Sequence, residues 1–124
     1  MSFMAAGHTQ AKKKMFALGR LKAGQMNKQE QLYADHLEQL KSEGLVLWWK
    51  FEALKLRLAD NTFYTPDFAV LPVSGVLECH EFKGYWQDDA RVKIKVAADI
   101  YPFRFLAIRL KPKKDGGGWS VEEF

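Results

Sequence analysis

The chain has 124 residues and a mass of 14.3 kDa, 48% hydrophobic and 27% charged, the make-up of one folded domain with a modest core. A single cysteine excludes an internal disulfide framework and a Cys-based zinc cluster, and suits a reducing cytoplasm. No uncharged apolar run approaches the roughly 18 residues a membrane span needs, and the opening MSFMAAGHTQA lacks the basic start and apolar core of a secretory signal.

The charge is unevenly placed. Lys and Arg number 19 against 15 acids, giving +4 and a pI near 9.2. Residues 1–29 hold Lys12, Lys13, Lys14, Arg20, Lys22 and Lys28 and no acid, so they carry +6 and the remainder carries −2. A basic arm on a slightly acidic body points to a polyanion, most often nucleic acid; it equally describes a solvated terminus. These six bases are the first candidates for nucleic-acid contacts. The reading divides the chain into an irregular, partly flexible arm (residues 1–26, with one short helical stretch near Lys12–Leu21) and a domain (residues 27–124).

Asn27 is a suitable N-cap for a helix running to Glu43, with Tyr33, Leu37 and Leu40 at helical spacing and Gly44 closing it. From Leu45 the period changes. Trp48–Ala59 (WWKFEALKLRLA) ends in alternation, Leu54, Leu56 and Leu58 on one face and Lys55 and Arg57 on the other, which predicts a strand. Asp60-Asn61 turns the chain into a second strand over Thr62–Leu71, and Pro72–Gly75 turns it into a third from Val76 to about Lys83. Gly84-Tyr85-Trp86 ends that strand. A second helix is expected from Asp88-Asp89 to about Ile100, with Val92, Val96 and Ile100 at i, i+4 and i+8, stopped by Pro102. Phe103–Leu110 reads as a fourth strand and Trp119–Phe124 as a short last one. The order predicts an α/β (α+β) fold: three strands in an antiparallel meander, then a helical crossover to a parallel fourth, in a mixed sheet flanked by helices.

Four side chains concentrate chemistry. Asp67 follows Pro66 in the second strand, and Glu81-Phe82-Lys83 lies in the third. Alternation sets Glu81 and Lys83 on one face, about 7 Å apart, and the hairpin lets Asp67 sit opposite or diagonal to Glu81. Two carboxylates at that range repel when partly buried; a divalent cation with hard oxygen ligands, Mg²⁺ for preference, relieves this. The alternative is a cross-strand ion pair on a solvated face. Glu30 shares the stripe of Tyr33, Leu37 and Leu40, so it faces inward, where a carboxylate needs a partner. Asn27-x-x-Glu30 is also a capping-box spacing, and both roles stay open. Arg91 and Lys95 make an i, i+4 basic pair that suits either a phosphate or a solvated helix face. Cys79 shares the Glu81 face and reads as core. His8, His36 and His80 share no ligand spacing, and Tyr85-Trp86 is either core or a platform for an unpaired base.

Taken together, Pro66-Asp67, Glu81-Phe82-Lys83, the helix bearing Glu30 and the αβββαβ order resemble the PD-(D/E)XK nuclease superfamily over about residues 24–110. The runs NKQEQLYADHL, Thr65-Pro66-Asp67-Phe68 and His80-Glu81-Phe82-Lys83-Gly84 are similar to small phage and prophage members akin to phage endonuclease I and the Holliday-junction resolvases. The resemblance implies a restriction-endonuclease-like core and Mg²⁺-dependent hydrolysis of DNA phosphodiesters, with Mn²⁺ able to substitute. It implies that Asp67, Glu81 and the Phe82 carbonyl hold the metal. Lys83 then stabilises charge at the phosphate, and Glu30 orients water or completes a second metal position. A chain this short leaves little room for a separate recognition domain, which favours branched DNA over sequence readout. Symmetric cutting of a junction implies a homodimer in a bacterial cytoplasm, without membrane or small-molecule cofactor. Nicking, trimming or host-DNA degradation by the same fold, and a non-catalytic nucleic-acid-binding module, are the alternatives.

Overall fold

The computed structural model describes residues 24–82 and 88–124. They fall into two units, the stretch ending at Ala34 and Asp35–Phe124. Helix α1 (Lys28–Ser42) opens with a reciprocal cap. Asn27 Oδ1 accepts the Glu30 N–H at 2.8 Å, and Glu30 Oε1 accepts the Asn27 N–H at 2.9 Å. Such a cap is worth about 1 kcal/mol. Tyr33, Ala34 and Leu37 are buried along the helix, and Gly44, at φ 81°, ends it in a conformation that suits glycine.

Among the described residues seven strands follow: β1 (Val46–Phe51), β2 (Leu56–Ala59), β3 (Thr62–Tyr64), β4 (Phe68–Pro72), β5 (Glu78–Phe82) and, after helix α2 (Asp88–Ile100), β6 (Arg104–Leu110) and β7 (Trp119–Glu123). Five of them form a mixed sheet in the order β1-β4-β5-β6-β7, antiparallel except for the parallel pair β5–β6 that α2 connects. The fold is thus mixed α and β, with a mixed sheet and two helices among the described residues. No helix among them is long and apolar enough to cross a membrane.

Two expected strands are each broken in two. The run Trp48–Ala59 leaves the sheet after Phe51, where Glu52 adopts φ 49° and donates its N–H to the Asp67 carbonyl at 2.7 Å. The run Thr62–Leu71 breaks at Thr65-Pro66-Asp67, because Pro66 has no N–H for a ladder. Between the breaks β2 and β3 pair only with each other, as a ribbon turning at Asn61 (φ 54°). The leucine alternation survives: Leu56 is buried and Leu54 and Leu58 pack beside it, while Lys55 and Arg57 are exposed.

The apolar set that marks α2 in the sequence is not the one it buries. Val92, Val96 and Ile100 are 56%, 37% and 48% exposed, whereas Ile94 and Ala97 are fully buried and Ala98 and Tyr101 pack beside them. Residues 94, 97, 98 and 101 follow the i, i+3, i+4, i+7 pattern of a core-facing helix. Both stripes are apolar; the buried one carries two alanines, whose small side chains let the helix lie close to the sheet. Its core joins Ile94 and Ala97 to Leu56, Tyr64, Cys79 and Phe105, with the Phe124 ring against them.

The register assigns every strand residue to a face. Ala69, Cys79, Glu81 and Phe105 share the face covered by α2 and the β2–β3 ribbon, while Phe68, Val70, Glu78, His80, Phe82, Leu106 and Ile108 share the other. On that second face Glu38 accepts the Trp49 indole N–H at 2.9 Å, and the His36 ring lies 5.8 Å from Trp119.

Candidate metal centre

The chain brings Asp67 and Glu81 together at the carboxyl end of β5. Phe68 pairs with His80, so one further step of the same antiparallel register sets Asp67 across from Glu81. Both then lie on the face bearing α2 and the ribbon. Asp67, half-buried directly after the buried Pro66, accepts the Phe82 N–H through Oδ2 at 2.8 Å. Glu81, buried within the sheet, accepts the Tyr64 hydroxyl through Oε1 at 2.8 Å. A buried hydrogen bond to a charged acceptor contributes about 1.5–3 kcal/mol. Burial, and then the charge of Glu81, push the Tyr64 hydroxyl well above its ordinary value of 10.0, so it stays protonated and stays a donor.

The other expected participants are placed less completely. Glu30 forms the capping box with Asn27, so that of its two possible roles the cap is the one the structure displays. Phe82 is buried next to Glu81, its ring 5.7 Å from Trp119 in an edge-on contact. Lys83 lies outside the described residues, as do Lys12, Lys13, Lys14, Arg20, Lys22 and the pair Tyr85-Trp86. Lys28 is exposed at the start of α1, and Lys95 is exposed on α2. Arg91 is engaged within the body: its guanidinium grips Glu122 with both terminal nitrogens and lies 5.2 Å from the centre of the Phe124 ring. Arg57 and Lys55 are likewise occupied locally, by Asp60 at 3.8 Å and by the Phe63 ring at 4.6 Å. Cys79 is core, as expected of a lone cysteine in a strand, and burial pushes its thiol up to about 12. It is therefore a thiol at neutral pH and a poor nucleophile.

The donor set at Asp67 and Glu81 fits a hard divalent cation. Both are carboxylates, Asp67 just before β4 and Glu81 on β5, and the hydrogen bonds described above come from neutral donors, an amide and a phenol. Carboxylate oxygens on one face are the hard ligands that such a cation takes. Among the described residues no group of three or more His, Cys, Asp or Glu side chains is arranged to hold a metal ion. Two side chains supplemented by backbone oxygen and water remain the arrangement to test; Mg²⁺ commonly keeps several waters.

A second charged cluster sits at the other end of β5 and was not anticipated. Glu78 Oε1 lies 2.8 Å from His80 Nε2, and Glu78 Oε2 accepts Arg104 Nη1–H at 2.9 Å. Arg104 also grips Glu123 through Nε and Nη2 at 2.8 and 2.9 Å. The sequence does show Glu78 and His80 on one face of a strand. Arg104 and Glu123, however, come from β6 and β7, and only the sheet register unites them.

Comparison with known protein families, curated proteins and solved structures finds no match to this chain.

Proposed function

We propose that the protein is a metal-dependent endodeoxyribonuclease with a PD-(D/E)XK-type core, cutting phosphodiester bonds of DNA and favouring branched substrates. The observation that carries this reading is the register, Phe68 with His80, whose next step sets Asp67 against Glu81, with Phe82 and Lys83 following directly in the sequence. The strand order supports it as well: an antiparallel triplet, then a helix, then a parallel strand.

Asp67, Glu81 and the Phe82 carbonyl would hold Mg²⁺. When bound, the cation polarises a phosphoryl oxygen and lowers the pKa of coordinated water. The chain's own residues prepare for that chemistry. The Phe82 N–H fixes the Asp67 carboxylate toward β5, and the Tyr64 hydroxyl fixes Glu81, so neither has to reorganise when a substrate arrives. Lys83, as the resemblance implies, would supply a positive charge for the oxygen that becomes more negative as the phosphodiester is attacked. The Glu30 cap leaves that residue as a helix anchor, with any part in ordering water secondary to it.

The test is cleavage of labelled four-way junctions, flaps and linear duplex with Mg²⁺, Mn²⁺ or EDTA. Junction cutting that needs the metal and disappears in Lys83→Ala is the expected result. Absence of cutting on every substrate with metal present overturns the nuclease, and equal cutting of duplex and junction overturns the preference for branches. A junction-cutting enzyme is also expected to run as a dimer in sedimentation.

A further inference from the structure

The turn between β6 and β7 is the most basic part of the body. Residues 109–118 (Arg109 to Gly118) hold Arg109, Lys111, Lys113 and Lys114 against Asp115 alone, a charge of +3, while the rest of residues 30–124 carries −5. Arg109, Lys113 and Lys114 are exposed and Lys111 is half-exposed. Among the described residues none of these four enters an ion pair with an acid, in contrast to Arg57, Arg91 and Arg104. The body thus engages several of its arginines internally and leaves this group facing water.

The position of the turn is as informative as its charge. Strands β5 and β6 are parallel, with Glu81 beside Ala107 and Phe82 beside Ile108. The turn therefore leaves the sheet at the same end as the paired carboxylates. Lys111 lies three residues past the level of Phe82, about 10 Å at a strand rise of 3.3 Å per residue. Phosphates recur every 3.4 Å along the axis of one DNA strand. A backbone whose scissile phosphate sits at Asp67 and Glu81 thus passes the turn within about three or four phosphates.

The turn is also built to hold its shape. Lys111 N–H bonds Gly118 O at 2.9 Å across its base, and Asp115, Gly116 and Gly117 donate to Pro112 and Lys113 carbonyls within it. Trp119, the next residue, sets its ring 5.7 Å from Phe82 and 5.8 Å from His36. Phe82 stands between Glu81 and Lys83, so an aromatic wedge ties the base of the turn to the strand that carries the carboxylates.

We infer that the β6–β7 turn is a phosphate-backbone clamp, in which Lys111, Lys113 and Lys114 hold the DNA strand beyond the cut. The inference rests on the nuclease reading for the identity of the polyanion. It gives the acidic body its own grip on DNA, separate from the basic residues 12–28.

The test measures binding of the full chain to a short fluorescein-labelled duplex in EDTA, from about 50 to 200 mM salt, and cleavage with Mg²⁺ in parallel. Replacing Lys111, Lys113 and Lys114 together by Ala lowers the slope of log K against log salt by about 0.9 per lost contact, so by about 2–3. Replacing the three by Arg keeps the slope, and Lys41→Ala, in the last turn of α1, leaves it unchanged. Far-UV circular dichroism confirms that the exposed turn tolerates the changes. An unchanged slope in the triple Ala variant of an enzyme that cuts DNA overturns the clamp and leaves the nuclease standing. A lowered slope in a protein that cuts nothing supports the clamp and overturns the nuclease. Loss of binding to phosphatidylserine vesicles with an unchanged duplex slope overturns the clamp in favour of a lipid surface.

Discussion

Strand β5 carries two buried glutamates three residues apart, Glu78 and Glu81, on opposite faces and at opposite ends of the strand. Glu78 meets a guanidinium and an imidazole, and the guanidinium is shared with Glu123. Glu81 meets a phenol, and the register carried one step past Phe68 and His80 sets Asp67 across from it. The first arrangement gathers opposite charges and fastens three strands. The second brings two carboxylates to one face and holds them through an amide and a phenol. Equal burial of the same residue type therefore says little about role; the charge of the partner says more.

That contrast breaks most visibly in activity. Glu81→Gln keeps the shape and an acceptor for Tyr64 but removes the charge, and should lower metal-dependent cleavage by at least about 10²-fold in a single-turnover assay. Glu78→Gln should stay within a few-fold of the parent. Equal losses in the two variants would erase the distinction between the ends. The next largest effect is on stability. Arg104→Met strands Glu78, 12% exposed, without its guanidinium. Breaking a buried pair costs about 3–5 kcal/mol. With the Arg104 side chain 46% exposed, about 2–3 kcal/mol is expected as a lower urea midpoint at unchanged slope.

Tyr64→Phe sharpens the other half of the contrast. It removes the donor to Glu81 and should cost about 1–2 kcal/mol, with a higher Mg²⁺ concentration needed for cleavage. The smallest effect concerns acid. The hydrogen bond from Arg104 holds the Glu123 carboxyl below its ordinary value of 4.5. A carboxyl depressed in the folded state stabilises above its unfolded pKa, and that contribution fades as pH falls through the lower folded value. Parent stability should therefore decline more steeply below about pH 4.5 than that of Arg104→Met, as followed by thermal melts.

Local chemistry was legible from the sequence, and long-range pairing was not. Asn27 and Glu30 announce their reciprocal cap, Gly44 its helix end, and Asp67 and Glu81 their neighbourhood through the hairpin. The breaks at Glu52 and Pro66 differ in kind. Pro66 lacks an N–H and so marks its own break, whereas Glu52 turns where its N–H finds the Asp67 carbonyl, a partner 15 residues away. WWKFEALKLRLA has β-forming composition on both sides of that point, so nothing local separates β1 from β2. In α2 two apolar stripes compete, and the sheet selects the one with alanines. The Glu78 cluster draws on three strands and has no signature within any one of them.

Asp67 has a consequence that reaches past chemistry. Its carbonyl receives Glu52 where β1 ends, and its side chain receives Phe82 where β5 ends, so one residue joins three stretches of chain. Exchanging it removes a structural junction along with the proposed metal ligand. Glu81 can instead become Gln with its hydrogen bond to Tyr64 intact. If the chain is the nuclease proposed, a lineage released from selection for cutting would leave Glu81 free to drift, while Asp67 would persist for folding. A descendant with Asp67 but without Glu81 would keep the scaffold and have lost the reaction.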